Sequence, residues 1–341
     1  MTTYMKKILL LTLFALIITF TNVIAKKDID VNFEGFGSTG FTFFNTDLMN
    51  KVNNLAYYRG KLQTEIKYGE FIKAQLDFRG ESDDHSITFK EFSIRFKFMD
   101  YFWLKVGNIK KPFGYEQLTN REDLKVIERS YAHEQFANIG YGGRSVSLMA
   151  YYEYDEEVDG PPISYYVSGF KENSLNAGFS SRLVYHHENL AYALNYLYLS
   201  NGSLDLITNG FALDITVDKK RYITSIELLA AQDPVDGIIR RLQGKDENVW
   251  TLGAKWLTAY KFKFDKRFMD AVEPLIQFSY LLPDSEVMGN NVIQLLLGCN
   301  YYFYKDVMLR FNGDVRLTKN EYIGEYDPYN SKATIEIFIT F

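Results

Sequence analysis

Lysine and arginine recur at every second position through much of residues 58–105, a spacing that puts them on one face of an extended chain. Arg59, Lys61 and Lys67 stand on 58–68, Lys73 and Arg79 on 72–79, Arg95 and Lys97 on 91–98, and Lys105 on 101–108. The same faces carry three acids, Glu65, Asp77 and Glu91, so five positive charges are in excess there, in a chain whose formal net charge is −5. A second basic group, Lys110, Lys111, Arg121, Lys125, Arg129 and Arg144, lies on or beside 111–143, mixed with Glu116, Glu122, Asp123, Glu128 and Glu134. Guanidinium forks and ammonium point charges can replace the hydration of an anion. Several weak sites suit passage better than one tight site, because an ion must also leave. The competing use of these charges is pairing with acids across strands, and strand register decides between the two.

The elements that must hold this face are strands. Apolar and polar residues alternate with period two from Tyr58 to Tyr68, from Ile72 to Arg79, from Glu91 to Phe98 and from Val307 to Leu317. Weaker alternation covers 101–108, 144–154, 163–171, 175–186, 190–200, 210–218, 221–231, 248–260, 271–281 and 292–303, and with 29–44 and 331–341 the count is about sixteen. Many of these runs approach ten residues, the length a tilted strand needs to cross a bilayer. Connections alternate short (Tyr68–Glu70, Met99–Asp100, His187–Asn189, Lys219–Lys220, Tyr304–Asp306) and long (45–56, 80–86, 111–143, 201–209, 232–247, 282–291, 319–330), the habit of transmembrane barrels. The stretches 153–162 and 261–270 read as turns longer than that rule. Closure follows because hydrocarbon leaves no strand edge unpaired at tolerable cost. The fold class expected is therefore all-β: an antiparallel transmembrane barrel of about sixteen strands, with an aqueous lumen.

The N-terminus agrees with export. Lys6 and Lys7 precede an uncharged apolar run from Ile8 to Phe20, and Val23-Ile24-Ala25 ends on a small residue, the pattern of a signal peptide cleaved after Ala25. Residues 26–341 would then form the barrel, located in the bacterial outer membrane. Tyrosine (26) and phenylalanine (27) are abundant although mean hydropathy is −0.20, which fits short-period alternation. The pairs Tyr57-Tyr58, Tyr101–Trp103, Tyr151-Tyr152, Tyr165-Tyr166 and Tyr301-Tyr302 would fit interfacial girdles or plain strand propensity. The last strand ends on Phe341, resembling the signal read by outer-membrane assembly machinery.

Other chemistry finds little footing. One cysteine, Cys299, permits neither an intrachain disulfide nor a thiolate metal cluster. His186 and His187 are adjacent and face opposite sides of a strand. His85 with Asp83-Asp84, and Asp155, Glu156, Glu157 and Asp159, read as hydrated loop and turn. No P-loop, HExxH or GxSxG motif occurs. A hydrolytic pairing of Ser145 or Ser147 with His133 is the one enzymatic arrangement conceivable. No cofactor is expected, and a pI near 5.6 argues against nucleic-acid binding.

The run Val106-Gly107-Asn108-Ile109-Lys110-Lys111-Pro112-Phe113-Gly114-Tyr115-Glu116, followed by Ile127-Glu128-Arg129, resembles the phosphate-selective porin O and P family. The resemblance implies a trimeric sixteen-stranded barrel whose third extracellular loop, here 111–143, folds inward to narrow the lumen. It implies that Lys110, Glu116, Glu128 and Arg129 shape or line the constriction, with Pro112 and Gly114 shaping the loop. The expected function is passive diffusion of small anions such as phosphate or polyphosphate. The alternatives are a general or organic-solute porin without phosphate selectivity, and a plugged barrel acting as adhesin or structural anchor.

Overall fold

A computed structural model describes residues 29–44, 54–82, 86–158, 160–172, 176–202, 206–266, 268–287, 289–304, 306–318 and 331–341. The expected signal peptide Met1–Ala25, the loop stretches 45–53 and 319–330, His85 with Asp83-Asp84, and Asp159 lie outside the described residues.

Strands run in chain order as β1 Ile29–Phe44, β2 Asn54–Tyr68, β3 Ile72–Glu81, β4 Ser86–Met99, β5 Phe102–Lys110, β6 Arg144–Tyr152, β7 Ile163–Lys171, β8 Asn176–His187 and β9 Leu190–Asn201. They continue as β10 Leu206–Lys219, β11 Tyr222–Gln232, β12 Trp250–Tyr260, β13 Phe262–Lys266, β14 Met269–Leu282, β15 Val292–Phe303, β16 Val307–Thr318 and β17 Lys332–Thr340. Each is antiparallel to its neighbours, and β1 pairs with both β2 and β17, so the sheet closes on itself. β12 and β13 both pair with β14 and are separated only by Lys261, so they form one stave and the barrel has sixteen. The turn expected over 261–270 is corrected here: its first half is strand. Phe262 and Phe264 alternate outward with Lys263 between them, and the register shifts once between Lys263 and Lys266.

The barrel is turned inside out relative to a water-soluble protein. On β16, Arg310, Asn312 and Asp314 are buried while Phe311, Val315 and Leu317 are exposed; on β12, Thr251 and Lys255 are buried while Leu252 and Trp256 are exposed. Polar side chains therefore face the lumen and apolar ones the surrounding hydrocarbon. Adjacent aromatics divide between the two sides. Tyr58, Tyr101 and Phe102 are exposed, whereas Tyr57 and Tyr151 are buried at positions of inward parity, so the paired aromatics do not all serve as an outer girdle.

The 111–143 segment is itself folded. It holds the short helices α1 Tyr115–Leu118 and α2 Tyr131–Phe136, the latter capped by Ser130, whose hydroxyl accepts from the His133 amide, and continues in a π-turn over Ala137–Tyr141. Phe113, Tyr131, Phe136, Ile139 and Tyr141 pack on Leu197, Ala212, Leu229 and Ala231. Those four lie on the inward faces of β9, β10 and β11 and supply the apolar floor on which the segment sits. One more helix, α3 Pro234–Leu242, capped by Asp233, follows β11.

Candidate solute pathway

Register settles what the spacing of basic residues left open. On β2, β3, β4 and β5, Lys67 stands opposite Lys73, Lys73 opposite Arg95, and Arg95 opposite Lys105. Four cations thus form one row across four adjacent strands, near the mouth where the turns are short. Like charges directly opposite one another destabilise a sheet, so this row is a cost that folding alone gives no reason to bear. Lys67 is relieved by Glu65 at 3.1 Å and Lys105 by Glu91 at 2.8 Å. Among the described residues the two middle cations have no carboxylate partner: Arg95 donates to the Gln75 side chain, and the Lys73 ammonium lies 5.3 Å from the Trp103 ring centroid.

Two layers higher, Gln63, Asp77 and Glu91 stand opposite one another, and the next layer pairs Lys61 with Arg79. Asp77 and Glu91 are only 1% and 5% exposed, covered by half-buried cations. Arg79 holds Asp77 at 3.1 Å, while Arg144 reaches Glu91 at 3.0 Å and Asp77 at 3.7 Å. Three cations, counting Lys105, therefore share two buried acids, and the face left toward the lumen is positive.

The remaining basic candidates are mostly ties. Arg59 pairs with Glu128 at 3.1 Å, Lys61 with Glu122, Lys97 with Asp100 at 2.9 Å, Arg121 with Glu81 at 3.3 Å, and Lys125 with Glu273 at 3.6 Å. Lys111 is buried and bonds Glu172 and the Gly140 carbonyl. Lys110 and Arg129 bind no carboxylate among the described residues. The Lys110 ammonium donates to the Leu118 and Thr119 carbonyls and to Asn120 Oδ1, and Arg129 donates to the Glu116 and Thr119 carbonyls. Two cations thus share the Thr119 oxygen and fasten the turn after α1. The pairing alternative holds for ten of the fourteen basic candidates; Lys73, Arg95, Lys110 and Arg129 escape it.

The loop-shaping candidates explain the Pro-Phe-Gly run. Gly114 has φ +78°, and a Cβ there would stand 2.4 Å from Glu227 Oε1 on β11, so only glycine lets the chain pass this close. Pro112 beside it is buried, and Phe113 packs on Tyr141 with ring centroids 5.6 Å apart. The Gly114 and Glu116 amides donate to Asn195 and Glu227. Glu116, wholly buried, accepts from the Ser130 amide and hydroxyl and lies 3.4 Å from Lys255. Burial raises its carboxyl, but Lys255 with those hydrogen bonds brings it below the ordinary range. Glu128 is likewise pushed up by burial, yet Lys332 and Arg59 hold it at about 2. Among the described residues Glu134 has no such partners, and burial with the nearby Glu128 charge pushes it up to about 7. Burial pushes His133 down to about 3; its Nε2 meets Gln117 at 3.0 Å, while the Ser147 hydroxyl donates to the Ser145 carbonyl, so these serines and this histidine do not meet.

Further ties come from the opposite wall. The Ile127 amide donates to Asn312, the Tyr131 amide to Gln294, Asn300 donates to the Lys125 carbonyl and Arg310 to that of Leu124. Lys332 also bonds Glu128. Together the 111–143 ties reach inward faces on β2, β3, β9, β11, β12 and β14–β17, and none involves Lys67, Lys73, Arg95 or Lys105. The far-wall partners (Asn195, Glu227, Lys255, Glu273, Gln294, Asn312) were not singled out from sequence. Their signal was parity itself, since each is a polar residue at an inward position of its strand.

With this geometry in place, comparison with known proteins gives a family. A model described as phosphate-selective porin O and P matches residues 57–188. The likeness is to that porin family. The match spans the four-cation row and the whole 111–143 segment. Among solved structures, OmpF of Salmonella typhi in complex with daunomycin superposes with a TM-score of 0.68 at 12% identity, covering 91% of this chain and 97% of that one. The outer membrane channel DcaP of Acinetobacter baumannii gives 0.62 at 12% identity, over 93% and 98%. A loop-deletion mutant of OmpT, an outer membrane protein of Vibrio cholerae, gives 0.60 at 8% identity, over 92% and 100%. At such identities these structures speak to the fold. No curated protein matches the chain in sequence. Closed barrel, apolar exterior and family likeness make this a porin-type channel of the bacterial outer membrane.

Proposed function

We propose that the channel passes small anions by diffusion, phosphate and polyphosphate among them. The observation that carries this reading is the row Lys67–Lys73–Arg95–Lys105, with Asp77 and Glu91 buried behind cations in the layers above it. Low-dielectric walls focus the field of such a row along the lumen, enriching anions and depleting cations. Arg79, Lys97 and Arg144 extend the positive surface. Arg59, Lys61, Lys111, Arg121, Lys125 and Glu128 hold the 111–143 segment against the walls as a constriction, and Lys110 and Arg129 set the turn at its start. The family likeness supports phosphate as a solute and a homotrimer as the assembly.

The test is the reversal potential of single channels in a KCl gradient, followed by phosphate titration. Anion-selective steps reduced by phosphate are expected. Cation-selective steps would refute the anion reading and leave a general porin. The number of loop-to-wall ties favours a second reading, a plugged barrel serving as adhesin or anchor. Folded protein that inserts without conducting would establish it.

A further inference from the structure

The inward aromatics are not scattered. Trp103 on β5, Tyr151 on β6 and Tyr166 on β7 stand opposite one another in register. Their ring centroids are 6.3 and 6.2 Å apart, and the two tyrosine rings lie within 5° of parallel. The ladder is bracketed by cations at both ends, since Lys97 is the register partner of Trp103 and Arg182 that of Tyr166. Arg182 is committed to Asp214 by a two-pronged pair at 2.5 and 2.8 Å. Lys73 has no carboxylate partner among the described residues and Lys97 only the exposed Asp100, and their ammonium groups lie 5.3 and 5.9 Å from the Trp103 ring centroid. The four-cation row runs directly alongside, because Lys105 and Trp103 are neighbours on the same face of β5.

Hydrated inorganic anions gain nothing from rings, and an apolar ladder on a lumen wall forfeits hydration that polar side chains would keep. Met149, the register partner of Lys105, packs with Tyr151 and Ile109 behind Trp103 and Tyr166, which backs the ladder with apolar side chains. Trp103 and Tyr166 remain partly exposed to the lumen. A flat, electron-rich surface with ammonium and guanidinium groups at its edge matches a solute that is planar at one end and anionic at the other.

We propose that this ladder and the cations along it form a binding site for aryl carboxylates, so that aromatic organic anions are retained over inorganic or aliphatic anions of equal charge. The inference rests on the anion-channel reading and names a solute class for it. Lys73 and Arg95, the row members without a carboxylate of their own, receive the carboxylate, while Trp103, 5.3 Å from the Lys73 ammonium, stacks on the ring and Tyr166 at the far end extends the aromatic surface.

The test uses the refolded full-length channel in planar bilayers. Benzoate and acetate are titrated into symmetric KCl, and the half-blocking concentrations are compared within each channel. Stacking on an aromatic platform should make benzoate about tenfold more effective than acetate. Trp103→Leu with Tyr166→Leu should bring the ratio to near one, and Trp103→Phe should keep most of it. Equal block of the unaltered channel by the two acids overturns the site, and so does a ratio that survives the double leucine change. Equal block by benzyl alcohol and benzoate would also overturn it, by showing that the cations take no part. The anion reading fails separately: a cation-selective reversal potential without any aryl acid refutes that reading, whereas anion selectivity with a benzoate-to-acetate ratio of one refutes only the aryl site.

Discussion

Neutralising the two middle cations of the row, Lys73→Gln with Arg95→Gln, isolates the field from the architecture. Neither residue ties the 111–143 segment, and neither bonds a carboxylate among the described residues, so no buried acid is orphaned. An ion passing about 7 Å from a unit charge gains or loses about 0.6 kcal/mol in water. Screening in 0.1 M salt, with a Debye length of about 10 Å, cuts this to about 0.3 kcal/mol. The effect has opposite sign for anion and cation, so each removed charge should lower the anion-to-cation permeability ratio about threefold, and the pair about sevenfold. In 1 M salt the screening length is about 3 Å, and the same pair should change the ratio less than about twofold. The assay is the reversal potential across KCl gradients centred near each concentration. Because like charges no longer face each other across β3 and β4, heat stability should hold or rise slightly. An unchanged ratio at 0.1 M would refute the row as the source of selectivity. An equal change at both salts would show that the substitutions act by reshaping the lumen.

Other outcomes follow from the loop ties. Glu128→Gln leaves Arg59 and Lys332 without their shared carboxylate, which should loosen the 111–143 segment by about 2 kcal/mol, discounted because both cations keep some water; limited proteolysis after Lys125 and Arg129 should accelerate. Its folded pKa of about 2 lies below the unfolded value near 4.5, so its contribution is complete above about pH 4.5 and is lost as pH falls toward 2. The unaltered channel should therefore show an acid-induced change in conductance over that range, and Glu128→Gln should not. Glu134 runs the other way, since a carboxyl raised to about 7 costs the folded loop increasingly from about pH 4.5 up to 7. Glu134→Gln should raise the melting temperature at pH 8 and leave it unaltered at pH 4. Gly114→Ala forces φ +78° on a residue with a Cβ that meets Glu227, at a cost of about 1–3 kcal/mol, read as lower heat stability and noisier open-channel current.

The barrel was legible because its signal is redundant. Period two on β2, β3, β4 and β16 gave strand, face and lumen side together, and the parity assigned to Lys61, Asp77 and Glu91 is the parity observed. The turn over 261–270 misled because Lys261 and the shifted register around Lys263 break the alternation while leaving the pairing with β14 in place. The charges were half legible. Which residues face inward follows from parity alone, but which acid lies under which cation depends on register, a long-range property that a one-residue slip reverses. Tyr151 and Tyr166 illustrate the same limit, since each sits in an adjacent tyrosine pair that looks like a girdle until pairing shows that one member faces inward.

The two uses of lumen charge, pairing and conduction, turn out to occupy different residues of one pattern. A loop laid across a polar lumen must satisfy its backbone and carboxylates against the walls, because a buried unpaired polar group costs about 1–3 kcal/mol. Glu116, Glu122 and Glu128 therefore draw in Lys255, Lys61, Arg59 and Lys332, and these cations are spent on structure. No loop tie reaches Lys73 or Arg95, and the inward acids Glu65, Asp77 and Glu91 of β2–β4 are already held by Lys67, Arg79, Arg144 and Lys105. What the fold leaves unneutralised is thus set by subtraction. Supplying an acid within reach of that remainder, for example Gln75→Glu beside Arg95, should silence the field as effectively as removing a cation, while keeping every loop tie intact.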